Sequence, residues 1–235
     1  MEINAILFDK DGTLFDFDAT WSAAMVDLLD EVAPGDLRVP VAKALGVDAV
    51  SGRFEASSVV IAGTSAETGE VLAKATGRPL SDVLAAFRSI GHNTRQIEVP
   101  ELFATLEVLA GLAPLGVVTN DAEASARHHL ATSNIARFFG AVIGADSGFG
   151  AKPAPGPLIA GAEALGVAPA TCLMVGDSLH DLKAGQAAGM VPIGVLTGIA
   201  TYDDLAPFAE AVLPDIRGVA AWIEKRKPRG TISKG

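Results

Sequence analysis

The sequence contains only one cysteine, Cys172, among its 235 residues. A single cysteine cannot form an internal disulfide, and chains without disulfides are typical of the reducing cytosol, so we predict a cytoplasmic location. Cys172 opens the short apolar run 172–175. We therefore expect this side chain to pack in the interior rather than to react.

The sequence also lacks a long uninterrupted apolar segment. The longest apolar stretch towards the C-terminal end, residues 190–200, contains Pro192 and two glycines. It is too short for a bilayer, which needs roughly 20 consecutive apolar residues. The first apolar run, residues 3–8, is shorter still and follows no basic region, so we expect neither a secretory signal nor a membrane partner.

Positive charge is scarce along most of the chain. The 18 lysines and arginines are outnumbered by 28 aspartates and glutamates, which gives a net charge of −10. This surplus of negative charge disfavours nucleic acid as a partner, because the two would repel each other. We predict that residues 225–235 form a basic, solvated C-terminal tail, and binding of an acidic partner by this tail stays open. Its basic residues are Lys225, Arg226, Lys227, Arg229 and Lys234.

What the chain does contain is enough apolar material for a sizeable core, since 49% of its residues are hydrophobic. From about residue 100 onward, short apolar runs alternate with amphipathic helical stretches. The runs predict strands at 115–118, 138–143, 173–175, 192–196 and 211–213, and the stretches predict helices at 101–109, 123–131, 156–165, 179–188 and 202–208. This alternation predicts right-handed βαβ units, so we expect an α/β fold with a doubly wound, mostly parallel sheet.

Residues 3–8 predict one more strand of the same sheet, although the next predicted strand begins only at residue 115. The segment between them has no convincing strand series and predicts helices at 19–31, 39–45, 67–75 and 81–89. We interpret residues 1–15 and 100–224 as a core domain. Residues 16–99 are predicted to form a smaller, all-helical domain inserted over the sheet.

Two carboxylates, Asp9 and Asp11, directly follow the first predicted strand. Such a strand end opens onto the crevice in which open α/β sheets bind ligands. Two acids this close repel each other unless positive charge lies between them, and the simplest candidates are Mg²⁺ and a shared proton. The pair therefore indicates metal-assisted chemistry on a negatively charged substrate.

Three further polar motifs come after predicted strands. Thr119 and Asn120 follow the strand at 115–118, and Lys152 follows a glycine-rich turn at 148–150. The fourth motif, residues 176–181, reads Gly-Asp-Ser-Leu-His-Asp and contains Asp177 and Asp181. Since the carboxyl ends of parallel strands meet at one sheet edge, we expect these groups to converge with Asp9 and Asp11. Carboxylates, a hydroxyl, backbone N–H groups and a lysine together suit phosphoryl transfer.

Taken in order, these motifs resemble those of the haloacid dehalogenase (HAD) superfamily: Asp-x-Asp-Gly-Thr at 9–13, then Thr119, then Lys-Pro at 152–153, then Gly-Asp-x-x-x-Asp at 176–181. Within it the chain is most similar to phosphoglycolate-phosphatase-like hydrolases that carry a helical (C1-type) cap after the first motif. The resemblance covers residues 3–195. It implies a Rossmann-like core, the helical cap, and a Mg²⁺-dependent phosphatase that acts on a small phosphorylated metabolite.

The resemblance also implies roles for individual residues. Asp9 would be the nucleophile that forms an aspartyl-phosphate, and Asp11 would be the general acid towards the leaving oxygen and then the base towards water. Mg²⁺ would be held by Asp9, by the backbone carbonyl of Asp11 and by Asp177. The phosphate oxygens would be held by Thr119, Asn120 and Lys152. Three residues would support the site, namely Gly12, Ser178 and Asp181.

Alternatives stay open around this interpretation. A dehalogenase or a phosphonatase would lack an acid at the position of Asp11, whereas a phosphomutase keeps both acids. A non-catalytic module that binds phosphate or a partner is disfavoured by the intact set of site residues. The substrate and the oligomeric state also stay open.

Arg53 lies in the predicted helical domain, and we hypothesise that it faces the leaving group and suits a carboxylate such as that of phosphoglycolate. An exposed arginine with no such role is the alternative. Trp21 is most simply a packing residue on a helix. His180 lies within the fourth motif, either at the edge of the site or on the surface.

Overall fold

The computed structural model describes residues 2–226, except for the side chain of Ala62. Six strands form one sheet: β1 (Ala5–Phe8), β2 (Leu115–Val118), β3 (Phe139–Ile143), β4 (Cys172–Gly176), β5 (Val191–Val195) and β6 (Ala211–Leu213). Their order is β3-β2-β1-β4-β5-β6, and every adjacent pair is parallel. The predicted α/β class and parallel sheet are confirmed.

Eleven α-helices connect or follow these strands in the described part of the chain. They are α1 (Phe17–Val32), α2 (Arg38–Leu45), α3 (Val59–Ala62), α4 (Ser65–Thr76), α5 (Leu80–Asn93), α6 (Leu102–Ala110), α7 (Glu123–Thr132), α8 (Gly156–Ala164), α9 (Leu179–Ala187), α10 (Tyr202–Leu205) and α11 (Gly218–Arg226). None of the described helices is long and apolar enough to cross a membrane.

Helices cover both faces of the sheet. On β1, Ile6 and Phe8 belong to one apolar cluster, whereas Ala5 and Leu7 belong to another. This division follows from the pleat, which sends alternate side chains of a strand to opposite faces. The first cluster also contains residues of α6, α7 and α11, and the second contains residues of α8 and α9. Because both faces are buried, β1 is apolar along its whole length, as is typical of doubly wound sheets.

Helices α1 to α5 follow one another between β1 and β2 and have an apolar cluster of their own. Its buried members, among them Met25, Leu72 and Val83, all come from residues 25–86. Side chains cap three of these helices, among them α1 and α4. Asp16 accepts a hydrogen bond from the Ala19 N–H at 2.8 Å, and Thr64 forms a reciprocal capping box with Glu67 at the start of α4. The boundaries of a separate helical domain stay a prediction.

The end of the described chain differs from the sequence interpretation. Lys225 and Arg226, predicted as the start of the tail, are the last two residues of α11. This helix extends so far because Val219 and Ile223, four residues apart on one face, are both buried against the first apolar cluster. The rest of the predicted basic tail, residues 227–235, lies outside the described residues.

The order of the strands fixes where a site can form. After β1 the chain builds β2 and β3 on one side, and it later returns to build β4, β5 and β6 on the other side. The direction of winding therefore reverses at β1, between β2 and β4. A crevice opens outside the carboxyl ends of the strands at such a reversal, and it is the usual place for ligands in open α/β sheets.

Candidate active site

Asp9 and Lys152 form the centre of the polar group at this reversal. Asp9 follows β1, and its Oδ1 lies 2.7 Å from Lys152 Nζ. The same ammonium donates a hydrogen bond to Asp181 Oδ1 at 2.6 Å. Both Lys152 and Asp181 are buried. Burial alone would lower the pKa of Lys152, but the carboxylates of Asp181 and Asp9 outweigh it and raise that pKa, so the ammonium is charged.

The side chain of Asn120 holds the backbone of Lys152 in place. Its Oδ1 accepts a hydrogen bond from the Lys152 N–H at 2.9 Å, and its Nδ2 donates one to the Lys152 carbonyl at 2.9 Å. Asn120 follows β2, so this reciprocal pair attaches the loop of Lys152 to the edge of the sheet. The amide therefore sets the position from which the lysine side chain reaches Asp9 and Asp181.

Asp177 follows β4 and lies against the loop after β1. Its Oδ1 accepts a hydrogen bond from Thr13 Oγ1 at 3.2 Å. Gly12 has a φ of +79°, and a Cβ built on it would collide with the Asp177 carboxylate. Any residue other than glycine is therefore disfavoured at position 12 for two reasons, the left-handed backbone conformation and the collision with Asp177. The predicted supporting role of Gly12 has this physical basis.

Asp9, Asp177 and Asp181 form a buried group of acids that fits a divalent cation. One carboxylate oxygen from each lies within 4.8 Å of the others. Burial and the charges of Asp181 and Asp11 together raise the pKa of Asp9 to about 7, against the opposing effect of Lys152. Burial, together with Asp181 and Asp9, also raises the pKa of Asp177 well above its usual range. The raised pKa values indicate that the carboxylates of Asp9 and Asp177 have too little positive charge around them. Carboxylate oxygens are also hard ligands of the kind that Mg²⁺ prefers.

The three acids are not equally available to a cation. Asp181 already uses one oxygen for Lys152, and its other oxygen accepts hydrogen bonds from the Ser178 N–H at 3.0 Å and from Ser178 Oγ at 2.6 Å. Ser178 in turn caps α9, so it fixes Asp181 in its first turn. Asp9 and Asp177 are therefore the better candidates for side-chain ligands, and Asp181 orients Lys152.

Thr119 lies at the end of β2 and is buried. Its N–H continues the sheet by donating to the Ile143 carbonyl at 2.9 Å, while its Oγ1 accepts a hydrogen bond from the Asp121 N–H at 3.1 Å. Thr119 and Asn120 line the same cavity as Asp9 and Lys152. The structure thus brings the predicted hydroxyl and the predicted lysine to one site.

Asp11 lies apart from the three clustered acids and has different partners. Its Oδ1 accepts hydrogen bonds from Lys10 Nζ at 2.7 Å and from Trp21 Nε1 at 2.9 Å. Trp21 belongs to α1, so an indole that was predicted only to pack also contacts a predicted catalytic acid. Sequence periodicity places Trp21 on a helix but carries no information about which acid its N–H reaches.

The cavity at this edge is closed on its far side by the helical segment. Apolar side chains from α1, α3 and α5 contribute Phe17, Trp21, Val60, Ile61 and Phe87 to its lining. The polar lining from the core includes Asp11, Asp121, Ser125, Ser178 and His180 in addition to the residues described above. His180 is half-buried, and it therefore lies at the edge of the site, which is one of its two predicted positions.

Arg53 is not among the residues that line this cavity. Its side chain is 74% exposed and its nearest acidic partner is Asp18, at 3.9 Å. The structure therefore does not place the predicted specificity residue where it would face a leaving group. Arg88 of α5 lines the cavity instead, and it makes no hydrogen bond or ion pair with any residue in the described part of the chain. Both arginines lie in the predicted helical domain, and the sequence analysis named Arg53 without considering Arg88.

Comparison with known proteins identifies the family. Residues 3–189 match the family of haloacid dehalogenase-like hydrolases. The chain is 32% identical over 209 residues to a phosphoglycolate phosphatase of Shigella boydii, an alignment that covers 84% of this chain and 82% of that protein. Every proposed site residue lies within residues 3–189, the region that matches the family.

Solved structures share the fold. A predicted phosphoglycolate phosphatase from Haemophilus somnus aligns with a TM-score of 0.68 at 22% identity, covering 94% of this chain and 98% of the other. A putative β-phosphoglucomutase from Thermotoga maritima aligns with a TM-score of 0.69 at 18% identity, covering 95% and 100%. At such low identity these likenesses establish the architecture, and they do not decide between hydrolysis and phosphoryl shuttling.

Proposed function

The chain belongs to the family of haloacid dehalogenase-like hydrolases, and we propose that it is a Mg²⁺-dependent phosphatase that hydrolyses a small phosphomonoester through an aspartyl-phosphate. The observation that carries this proposal is the convergence of Asp9, Lys152 and Asp177 at the carboxyl edge of the sheet. The 32% identity to a phosphoglycolate phosphatase supports the same reaction class.

Asp9 is the proposed nucleophile. One of its carboxylate oxygens attacks phosphorus, the P–O bond to the leaving group breaks, and an aspartyl-phosphate forms. Lys152 supports this assignment, because its ammonium lies 2.7 Å from Asp9 Oδ1 and favours the ionised carboxylate. The same ammonium lines the cavity, where its positive charge would attract the oxygens of a phosphate group.

Asp11 is the proposed general acid and base. It would donate a proton to the departing alkoxide and then accept a proton from the water that attacks the aspartyl-phosphate. Its position in the cavity lining, beside Asp9 but outside the clustered acids, supports this separate role. Thr119 Oγ1 and the Asn120 N–H are proposed to hold the transferring phosphate oxygens together with Lys152.

Mg²⁺ is proposed to be held by Asp9 and Asp177, with the Asp11 backbone carbonyl as a further ligand. When bound, the cation would offset the repulsion between the Asp9 carboxylate and the anionic phosphate. The raised pKa values of Asp9 and Asp177, caused first by burial, support a cation at this place because the two acids lack sufficient positive charge.

The substrate is proposed to be a small phosphorylated metabolite whose leaving group contacts the helical segment. The wall opposite the acids combines apolar side chains such as Val60, Ile61 and Phe87 with the guanidinium of Arg88. An apolar spacer that ends in a carboxylate would suit both features. Phosphoglycolate has the carboxylate but little apolar surface, so sugar phosphates and longer phospho-acids belong in the same screen.

The helical segment, residues 16–99, is proposed to act as a cap that excludes water from the site. Support comes from its separate apolar cluster and from the cavity that it shares with the core. Two chain crossings join it to the core, near residues 15–18 and 97–100. Movement about these crossings would open the cavity for exchange of substrate and product.

A screen of phosphorylated metabolites for released inorganic phosphate tests the proposal. We expect activity with Mg²⁺, loss of activity with a chelator, and recovery when Mg²⁺ is restored in excess. Asp9→Asn should abolish turnover, whereas Asp203→Asn, which changes an exposed acid on α10, should leave the rate unchanged. Near-normal turnover by Asp9→Asn would remove Asp9 from the role of nucleophile.

Product analysis separates the alternatives. A phosphomutase would accumulate an isomeric sugar phosphate rather than inorganic phosphate. A non-catalytic module would bind phosphorylated compounds without changing them, and in that case no compound in the screen would release phosphate. Either result would replace the phosphatase assignment.

A further inference from the structure

Lys10 is a completely buried lysine beside the site, and the reaction proposed above does not use it. Its side chain is 0% exposed. Its Nζ lies 2.7 Å from Asp11 Oδ1, 3.5 Å from Asp121 Oδ2 and 3.3 Å from His129 Nδ1. The ammonium is thus within hydrogen-bonding distance of Asp11 and His129, and it forms an ion pair with Asp121. Burying such a charge is costly, so its partners must be well ordered to retain it.

Lys10 does not share the role of Lys152. Lys152 lines the cavity and contacts Asp9. Lys10 does not line the cavity, and it contacts Asp11 from the buried interior of the protein. A phosphate in the cavity would therefore meet the Lys152 ammonium and not that of Lys10. The two proposed catalytic acids thus each have a lysine of their own.

His129 links Lys10 to the helical segment. Because the Lys10 ammonium can only donate, His129 Nδ1 must accept, and the ring hydrogen then lies on Nε2. That nitrogen is 3.0 Å from the carbonyl oxygen of Gly91 on α5 and donates to it. Burial and the neighbouring Lys10 charge lower the pKa of His129 to about 4, which agrees with a neutral ring in this tautomer.

Trp21 forms the second link between Asp11 and the helical segment. Its indole N–H donates to Asp11 Oδ1 at 2.9 Å, the oxygen that also accepts from Lys10. The Lys10 ammonium lies 5.5 Å from the centroid of the Trp21 ring, within the range of a cation–π contact. Asp11 is therefore held by one donor from the core and one donor from α1.

We propose that Lys10 is a positioning residue, which holds the Asp11 carboxylate in the orientation needed for proton transfer, and that Trp21 and His129 extend this hold to the helical segment. The inference rests on the proposed function, because it assigns the proton transfer to Asp11. Withdrawal of the helical segment would break the contacts of Trp21 with Asp11 and of His129 with Gly91 together. Asp11 is then fully held only while the segment covers the site.

The indole N–H resonances test the geometry without relying on turnover. The chain has two tryptophans, Trp21 and Trp222, and the Trp222→Phe variant assigns their peaks in a ¹⁵N-labelled sample. Lys10→Met should move the Trp21 peak and speed its exchange with solvent, while the Trp222 peak stays in place. Lys43→Met, which changes an exposed lysine on α2, should move neither peak. An unchanged chemical shift and an unchanged exchange rate of the Trp21 indole N–H in Lys10→Met would overturn the proposal.

A second variant covers the case in which Lys10→Met fails to fold, since it leaves Asp11 and Asp121 without their lysine. His129→Gln keeps that lysine and removes the imidazole, with its acceptor at Nδ1 and its donor at Nε2. We expect it to move the Trp21 peak in the same direction. An unmoved peak in His129→Gln would show that the histidine does not contribute to holding Asp11.

Leaving-group dependence distinguishes positioning from a general structural role. An alkoxide needs a proton from Asp11, whereas 4-nitrophenolate leaves without one. Values of kcat/KM report phosphoryl transfer to Asp9 and not the later attack by water. Trp21→Phe and His129→Gln should therefore lower kcat/KM about tenfold or more for an alkyl phosphate, and less than about threefold for 4-nitrophenyl phosphate. Trp222→Phe, on α11, should change neither value.

The outcomes separate the two proposals. Equal losses on both substrates would reduce Lys10 and its partners to a structural role and overturn the inference. A wild-type protein that releases phosphate from neither substrate and from no compound of the metabolite screen would refute the proposed function, while the indole resonances would still decide whether Lys10 holds Asp11.

Discussion

Replacement of Asp9 by asparagine should stabilise the metal-free protein while it abolishes turnover. Burial, with smaller effects from the charges of Asp181 and Asp11, raises the pKa of Asp9 from 3.8 to about 7 against the opposing effect of Lys152. The folded protein therefore favours the neutral carboxyl. That contribution to stability is present in full below pH 3.8 and is lost as the pH rises through 7.

The size of the effect follows from the same shift. Each pKa unit corresponds to about 1.4 kcal/mol, so the ionised Asp9 carboxylate costs on the order of 4 kcal/mol of unfolding free energy above pH 7. Relaxation of the acid group reduces this value, and we expect a gain of about 1 to 4 kcal/mol for Asp9→Asn at pH 8. For a chain of this size each kcal/mol raises Tm by about 2–4 °C.

Thermal unfolding in the presence of a chelator measures this gain, with Asp203→Asn as the control. The advantage of Asp9→Asn over wild type should shrink as the pH is lowered from 8 towards 4, because wild-type Asp9 then becomes neutral. Excess Mg²⁺ should reverse the order by raising the Tm of wild type more than that of the variant. A metal-free Asp9→Asn protein that is less stable than wild type at pH 8 would refute the reasoning.

Three further predictions concern other parts of the site. Asp177→Asn should remove most of the rise in Tm that Mg²⁺ gives wild type and should lower kcat/KM at least about tenfold, measured over a Mg²⁺ titration. Arg88→Ala should raise KM for a carboxylated phosphoester more than for a neutral one, whereas Arg53→Ala should change neither; the reverse pattern would restore Arg53 as the specificity residue. His129 has its pKa lowered from 6.5 to about 4 by burial and by the neighbouring Lys10, so its neutral form favours folding. Wild type should therefore lose more unfolding free energy than His129→Gln between pH 7 and pH 5, measured by urea unfolding, because the unfolded chain takes up the proton first.

The core of the fold was predictable from the sequence because burial determines its pattern. Both faces of the sheet are covered, so the strands are nearly continuous apolar runs, and the predicted strands at 115–118 and 211–213 agree with β2 and β6 to the residue. Helix α11 was not predicted as a helix. It is short, and its charged last turn matched the composition of a solvated tail.

The core part of the site was predictable for a related reason. Asp9, Thr119 and Asp177 each follow a strand directly, and parallel strands bring their carboxyl ends to one edge. Lys152 is further from its strand, and here the structure adds what the sequence lacks. The Asn120 side chain brings the Lys152 backbone to that edge through two hydrogen bonds.

The contribution of the helical segment was not predictable from periodicity. Helical spacing shows which side chains share a face, but it does not show which face lies over the core. The prediction of Arg53 was therefore wrong in position, and Arg88 was identified only because α5 lies beside the cavity. The environment of Lys10 was hidden for a similar reason, because its partner His129 is 119 residues away in sequence.

The distribution of positive charge explains why Asp177 depends on a bound cation more than Asp9 and Asp11 do. Asp9 has Lys152, and Asp11 has Lys10. Asp177 makes no ion pair with any residue in the described part of the chain, and its hydrogen bond from Thr13 is that of a neutral hydroxyl. A buried carboxylate in that position is costly unless it is protonated or bound to a cation. Protonation would remove a ligand, so the site can hold its acids ionised at neutral pH only if positive charge reaches Asp177 from outside the chain. Dependence on a bound cation is therefore expected from the placement of the two lysines among the acids.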